Sequence, residues 1–371
     1  MKDLLAPKGY EDIEEKVLAK ERLTREDGVR LFDCKDIAWL GALADHVRRE
    51  KCGDVVYYNV NCHVNLTNIC RAHCKFCAFG RDAEDKGAYE MAAADAVAVV
   101  EDAMKDPHLA GLHVVSGLHP AWTFDDYLAR LRALHERFPK LYLKGFTGVE
   151  ITHFSKISGL SVREVLQKLK AAGLDAIAGG GAEILSDRIR EELCPNKATA
   201  KEWLDAARTA HELGIKSNAS MLYGHIETLA ERVDHLLALR SLQDETGGFQ
   251  AFMLFPFHPE NTALGAEKKL TRVGSWEDMK MLALARLVLD NVPHFKAFWV
   301  MLTQPIAQLA LGFGADDLDG TIGEEKIIHA AGAQTQTGIT RRELDAMIRE
   351  AGYEPVERDT FYQPIAVGEG A

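Results

Sequence analysis

Apolar positions along the chain change their period near residue 60. Up to residue 50, Ile13, Val17 and Leu18, then Leu31, Ile37, Leu40 and Leu43, recur at the spacing of helices with one apolar face. Thr24-Arg25-Glu26-Asp27 reads as an N-cap followed by acidic first-turn residues. From His63 onward, short apolar runs alternate with longer amphipathic stretches, and eight such units can be counted. The runs predict strands over 63–67, 111–116, 141–146, 175–178, 216–222, 249–255, 295–301 and 316–319. Helices are expected near 88–105, 127–138, 162–172, 229–242, 276–289 and 324–331, with a last helix over 341–351 and an extended tail.

Alternating strands and helices imply parallel strands with helical crossovers. Eight such units closing on themselves give an α/β fold of the (β/α)8, TIM-barrel type, with its site at the C-terminal ends of the strands. A doubly wound open sheet is the other arrangement compatible with the pattern. The expected organisation is a helical extension over 1–60, a barrel over 61–335, and a C-terminal helix and tail over 336–371. The barrel also predicts where chemistry falls. Ser116–Pro120, Gly179–Glu183 and Tyr223–His225 each follow a strand directly.

Composition narrows the class. Hydrophobic content of 47% with 27% charged residues is that of a soluble globular protein. The net charge, 44 − 56 = −12, argues against nucleic acid or an anionic membrane as partner. The N-terminal residues lack the apolar core of a signal peptide, and no run approaches membrane-spanning length. Seven cysteines, an odd number with three clustered, suit a reducing compartment, and a cytoplasmic location is expected.

The three clustered cysteines carry the strongest chemical signal. They lie in Cys70-Arg-Ala-His-Cys74-Lys-Phe-Cys77, directly after the first predicted strand. Thiolates are soft ligands, and three on one loop can hold three corners of an iron–sulfur cluster. No protein ligand for a fourth corner is evident nearby. The alternatives are a zinc site completed by His73, or three structural thiols. Cys34, Cys52, Cys62 and Cys194 are isolated and read as buried apolar side chains.

A C-x3-C-x2-C loop after the first strand of a β/α barrel resembles the radical S-adenosylmethionine superfamily. The resemblance narrows to the menaquinone (futalosine pathway) group through several stretches. These are 63–70, Gly179-Gly-Gly-Ala-Glu-Ile184, Met221-Leu-Tyr-Gly-His-Ile-Glu227, 242–249, Phe257-His-Pro-Glu-Asn-Thr262 and Gly314-Ala-Asp-Asp-Leu-Asp-Gly-Thr321. Within that group the chain looks most like the aminofutalosine (aminodeoxyfutalosine) synthases. The dehypoxanthine futalosine cyclases and the deazaflavin synthase halves share the cysteine loop and several barrel motifs.

The resemblance implies a [4Fe–4S] cluster held by Cys70, Cys74 and Cys77, with S-adenosylmethionine chelating the fourth iron as a consumed co-substrate. It implies that the 5′-deoxyadenosyl radical adds to 3-[(1-carboxyvinyl)oxy]benzoate. Aryl migration and decarboxylation then give 6-amino-6-deoxyfutalosine. It also implies a low-potential electron donor of flavodoxin or ferredoxin type. Phe76 corresponds to the family position near the adenine. Ser116 and Gly117 lie where backbone carbonyls meet the methionine amino group. Glu183 is a candidate acceptor for ribose hydroxyls or the methionine ammonium. Arg188 and Arg190 are candidates for the methionine carboxylate. Arg81, Lys144, Lys296, His119, His225 and His258 are candidates for the substrate carboxylates. His119 and His258 are the candidate proton-transfer residues. Asp316, Asp317 and Asp319 lack calcium-loop spacing and read as capping or hydroxyl-binding groups. Two further readings stand beside the synthase: the cyclase, and a non-catalytic electron carrier or zinc-stabilised binding protein. A carrier would normally close its cluster with four cysteines on a smaller chain.

Overall fold

The computed structural model describes residues 6–323 and 325–365. It opens with three helices, Glu11–Leu18, Arg25–Asp33 and Ile37–Cys52. The second starts at a reciprocal cap: Thr24 Oγ1 accepts the Asp27 N–H, and the Asp27 carboxylate accepts the Thr24 N–H.

Ten strands follow: β1 (Val55–Asn59), β2 (Asn61–Asn65), β3 (Gly111–Val115), β4 (Tyr142–Gly145), β5 (Ala176–Ile177), β6 (Lys216–Tyr223), β7 (Phe249–Pro256), β8 (His294–Lys296), β9 (Asp317–Gly320) and β10 (Glu354–Glu357). They form one sheet in the order β10-β1-β9-β8-β7-β6-β5-β4-β3-β2, parallel throughout. Val60 alone separates β1 from β2, so the two ends of the sheet belong to one kinked strand. Thr321 N–H reaches Asn59 O at 3.1 Å on one side of it, and Ala110 N–H reaches Val60 O at 3.0 Å on the other. The sheet therefore curls into a TIM-type barrel with little exposed edge. β7 is buried at every position but Phe255, since one face meets the interior and the other the helices.

The outer helices begin with a repeated local signal. Thr147/Glu150, Ser161/Glu164, Thr199/Glu202 and Thr228/Glu231 are all capping boxes of the Ser/Thr-x-x-Glu type. Each satisfies orphan N–H groups at a helix start and fixes the entry angle of the chain.

Four expectations are corrected. The first strand starts at Val55, ahead of the predicted 63–67, and belongs to the stretch read as extension. The predicted strand 295–301 ends at Lys296, and Trp299–Leu302 is helical. Trp299 is fully buried there with its Nε1–H donated to Gly320 O at 2.9 Å, a contact that needs the chain to turn inward. The helix expected over 324–331 covers Ile327–Ala330; its first position, Glu324, lies outside the described residues. The extended tail contains β10, paired with β1.

β10 and the residues after it plug the N-terminal end of the barrel. Arg358 is fully buried and donates to Asp317 Oδ2 at 2.8 Å; the Tyr362 hydroxyl donates to the same oxygen at 2.6 Å. Tyr362 stacks on His294 with centroids 3.7 Å apart. The residues from 366 onward, the end of the expected tail, lie outside the described residues.

Candidate active site

The cysteine loop sits over the opposite end of the barrel, held by main-chain bonds from several elements. Arg71 N–H donates to Leu118 O at 2.9 Å, Lys75 N–H to Leu193 O at 2.9 Å, and Leu264 N–H to Lys75 O at 2.9 Å. Arg81 does not face substrate space; its guanidinium donates to Ala78 O and Gly80 O, both at 2.8 Å, and locks the end of the loop.

Cys70, Cys74 and Cys77 line one cavity of about 310 Å³ together with Phe76, Ser116, Gly117, Glu183 and His258. Eight sequence candidates, contributed by segments after β2, β3, β5 and β7, thus meet around one space. Met253, Phe255, Phe257, Phe298 and Met301 form an apolar part of its wall. No three His, Cys, Asp or Glu side chains among the described residues converge on a point that one metal ion could occupy. The three thiols stand around a space instead. Three thiols lining one open cavity can hold three corners of a multi-iron cluster. His73, the fourth ligand a zinc site would need, has a largely exposed side chain 3.6 Å from Asp82.

Cys70 Sγ accepts the Leu118 N–H at 3.3 Å, and burial pushes its thiol pKa up. Cys74 is hydrogen-bonded with Cys194, and that bond and burial push its thiol up, opposed by the Lys197 ammonium. Cys194 is buried, as the sequence suggests, but it also braces the cluster loop. Gly117 must be glycine: a Cβ would lie 2.6 Å from Ile69 O and 3.2 Å from Cys70 Cβ.

Glu183 adopts φ 49°, a strained conformation that places its carboxylate on the cavity, where it pairs with Lys197 at 2.6 Å. Lys197 Nζ also lies over the Phe76 ring, 5.2 Å from its centroid. Ser116 donates its N–H to Glu150 Oε1 at 2.8 Å, while its hydroxyl is buried without a partner among the described residues. His258 donates Nε2–H to Met301 O at 3.1 Å; burial lowers its pKa, leaving Nδ1 as the unprotonated nitrogen.

Two of the candidates sit elsewhere. His119 is not on the cavity: Nε2 faces Glu90 at 3.1 Å, Nδ1 accepts the Ala121 and Trp122 N–H groups, and the ring stacks on Trp122. Arg190 is buried behind the Gly179–Glu183 loop, donating to Ala182 O at 2.6 Å and to Ala198 O. It shapes that loop without reaching the cavity. Arg188 is paired with Glu231 at 2.7 Å, and His225 with Glu227 at 2.8 Å. Asp316 and Asp317 are taken up by Arg286 and Arg358, whereas Asp319 reaches the cavity while paired with Lys296.

Sequence reasoning missed Glu150, Lys197, His63 and His113, all on the cavity. Thr147-x-x-Glu150 was a legible capping signal. Asn59, Asn61, His63 and Asn65 alternate along β1 and β2, the period of an inward polar stripe. Lys197 had no local signal.

Residues 64–239 match the radical SAM superfamily, and residues 246–370 match the CofH/MqnC C-terminal region. The chain belongs to the radical S-adenosylmethionine superfamily, in the branch that carries this C-terminal region. The aminodeoxyfutalosine synthase of Thermus thermophilus is 48% identical over 96% of this chain and 95% of that protein. That of Streptomyces coelicolor is 45% identical over 97% and 95%. A 5-amino-6-(D-ribitylamino)uracil–L-tyrosine 4-hydroxyphenyl transferase of Methanococcoides burtonii is 38% identical over 92% and 96%. Among solved structures, methylornithine synthase (PylB) superposes with a TM-score of 0.74 at 16% identity, covering 92% of this chain and 97% of that one. The FeFe-hydrogenase maturase HydG from Carboxydothermus hydrogenoformans gives 0.73 at 16%, covering 95% and 80%. These two share the fold. Family membership implies a [4Fe–4S] cluster and S-adenosylmethionine, and the three thiols around an open cavity fit that pair. No helix of the described residues is long and apolar enough to cross a membrane.

Proposed function

We propose that this chain acts as an aminodeoxyfutalosine synthase, joining the 5′-deoxyadenosyl group of S-adenosylmethionine to 3-[(1-carboxyvinyl)oxy]benzoate with aryl migration and decarboxylation. One observation carries the reading: the end-to-end 48% identity to a protein of that name. The bound cluster supplies the electron that cleaves S-adenosylmethionine; the protein's share is to bind, orient and exclude water.

Cys70, Cys74 and Cys77 are the cluster ligands. Gly117 leaves its main chain bare for the methionine end, and Glu150 fixes the neighbouring Ser116 N–H. Glu183, held by Lys197, accepts from hydroxyl or ammonium groups of the co-substrate, and Phe76 faces its adenine. The Phe255, Phe257 and Phe298 wall keeps water and readily abstracted hydrogens away from the reacting carbons. Nδ1 of His258 is available to take a proton during rearrangement. Electrons come from a flavodoxin- or ferredoxin-type donor in the cytoplasm. The catalytic barrel expected over 61–335 takes in β1 from Val55 as well, with the helices before it and the C-terminal helix and β10 as its additions.

The test is anaerobic incubation of the reconstituted protein with S-adenosylmethionine, a low-potential reductant and the carboxyvinyloxybenzoate. Mass spectrometry is expected to find 6-amino-6-deoxyfutalosine, and a Cys70/Cys74/Cys77→Ala variant is expected to yield none. Release of 5′-deoxyadenosine alone, with turnover of dehypoxanthine futalosine or tyrosine instead, would overturn the assignment.

A further inference from the structure

Beneath the reacting level the cavity ends on a polar floor that the functional reading leaves unexplained. β2 and β3 place His63 and His113 opposite each other in register, their rings 4.7 Å apart and tilted by 32°. Both line the main cavity. His63 Nε2 is buried and has no hydrogen-bond partner among the described residues. Below lies a second cavity of about 20 Å³, bordered by Lys144, Lys296, Asn218 and Thr360. It shares His113, Met253 and Asp319 with the main cavity. Its size suits about one water molecule.

The charges on this floor do not cancel. Lys296 is met by Asp319, and Arg358 by Asp317. Lys144, the register partner of His113 on β4, is 6% exposed and makes no hydrogen bond or ion pair among the described residues. A buried cation without an anion is costly, and the cost falls when a ligand brings the missing charge. Burial, with Lys296 and Arg358 nearby, accordingly holds the Lys144 pKa well below its usual value.

We propose that His63, His113 and Lys144 form an anion subsite for the carboxylate on the aromatic ring of the substrate. The proposal rests on the functional reading above. The vinyl carbon must meet the adenosyl carbon at the level of the cysteines and Glu183. The carboxylate next to that carbon is the one lost. The ring carboxylate is retained and lies at the remote end of the molecule, toward the floor. His63 and His113 meet it directly; Lys144 meets it through one water in the small cavity. Anchoring that group holds the aryl ring in place while its bond passes from oxygen to carbon.

The test uses cluster-loaded protein and two probes of equal shape, 3-methoxybenzoate and the neutral 3-methoxybenzamide, with affinities read by calorimetry. Wild type is expected to prefer the benzoate roughly tenfold or more. Lys144→Met and His63→Gln should each weaken the benzoate roughly tenfold to hundredfold, leaving benzamide and S-adenosylmethionine binding within about twofold. Equal affinity of wild type for both probes overturns the subsite, as does an equal loss of both probes in His63→Gln. If Lys144→Met fails to fold, the wild-type comparison and His63→Gln still decide. Product formation is a separate readout. Wild type that makes the adduct without preferring benzoate sinks the subsite alone. A benzoate preference without any adduct sinks the functional reading and supports the anion site.

Discussion

At Gly117 one missing methyl group links the fold to the cluster loop. Its N–H donates to Thr67 O at 2.9 Å, which ties the end of β3 to the chain leading into the cysteines. A Cβ there would collide with Ile69 O and press on Cys70 Cβ, and both belong to rigid main chain or its first side-chain atom. Overpacking of this kind costs about 1–3 kcal/mol. Because the strain falls on the first cysteine, Gly117→Ala should lose cluster before it loses fold. Iron per chain after anaerobic reconstitution should drop severalfold, with unfolding still cooperative. Full iron content together with full activity would show that the loop yields without cost. Glu183 makes the same point differently: it holds a positive φ where glycine is favoured, so its carboxylate is kept for what it contacts.

Among the elements, β10 and the segment after it close the base of the barrel. Asp317 accepts from both Arg358 and Tyr362 and has no route to water. Removing one partner of a buried pair leaves the other uncompensated, at about 3–5 kcal/mol. Arg358→Met should therefore lower the midpoint of thermal unfolding by several degrees, and Arg358→Met/Asp317→Leu should recover most of the loss. A double variant no better than the single one would mean that β10 is held by its ladder to β1 alone.

This plug also marks where the sequence stopped being readable. The alternation of β and α, the capping boxes and the cysteine loop are local signals, set by side-chain period and helix-end chemistry over a few residues. The Thr24 cap falls where it was expected for that reason. β10 is short and polar, and only its partner about 300 residues earlier makes it a strand. Apart from Lys296 the stretch 295–301 is apolar, which a buried strand and a buried helix satisfy equally; the Trp299–Gly320 hydrogen bond decides it. At the site, Cys70, Cys74, Cys77, Phe76, Ser116, Gly117, Glu183 and His258 were legible through their motifs. Lys197 was not, because its partners Glu183 and Phe76 come from other loops. His119 and Arg190 look identical in sequence to ligand-binding residues; their commitment to Glu90, Trp122 and main-chain carbonyls exists only in the folded chain.

Across the whole molecule, buried neutral histidines set the response to acid. Burial lowers the pKa of His63, His153 and His211 to about 4 and that of His235 to about 3. His235 shows why: Nδ1 accepts the Leu185 N–H at 3.1 Å while Nε2–H donates to Ser220 O at 3.0 Å, an arrangement only the neutral ring can make. His211 is similarly enclosed by Thr246 and Ser217 hydroxyls at 2.7 and 2.8 Å. The folded pKa of each lies below the unfolded value of about 6.5, so unfolding takes up protons as the pH falls. Their stabilisation is complete above that value and is lost as the pH drops toward 4. Glu150 opposes them. Burial raises it to about 7, so between about 4.5 and 7 the folded state holds a proton that the unfolded chain releases. Four protons taken up against one released leave a net uptake of about three from these groups. Each proton corresponds to about 1.4 kcal/mol per pH unit, so these groups should lower stability by about 4 kcal/mol per unit between pH 6 and 5. Urea unfolding followed by helical circular dichroism at fixed cluster occupancy measures this slope. His235→Gln, which can keep one donor and one acceptor, should reduce it by about 1.4 kcal/mol per unit. Glu150→Gln should steepen it by a similar amount, since it removes the group of opposite sign. A slope near zero, or one unmoved by either change, would show that these side chains titrate in the folded protein as they do in water.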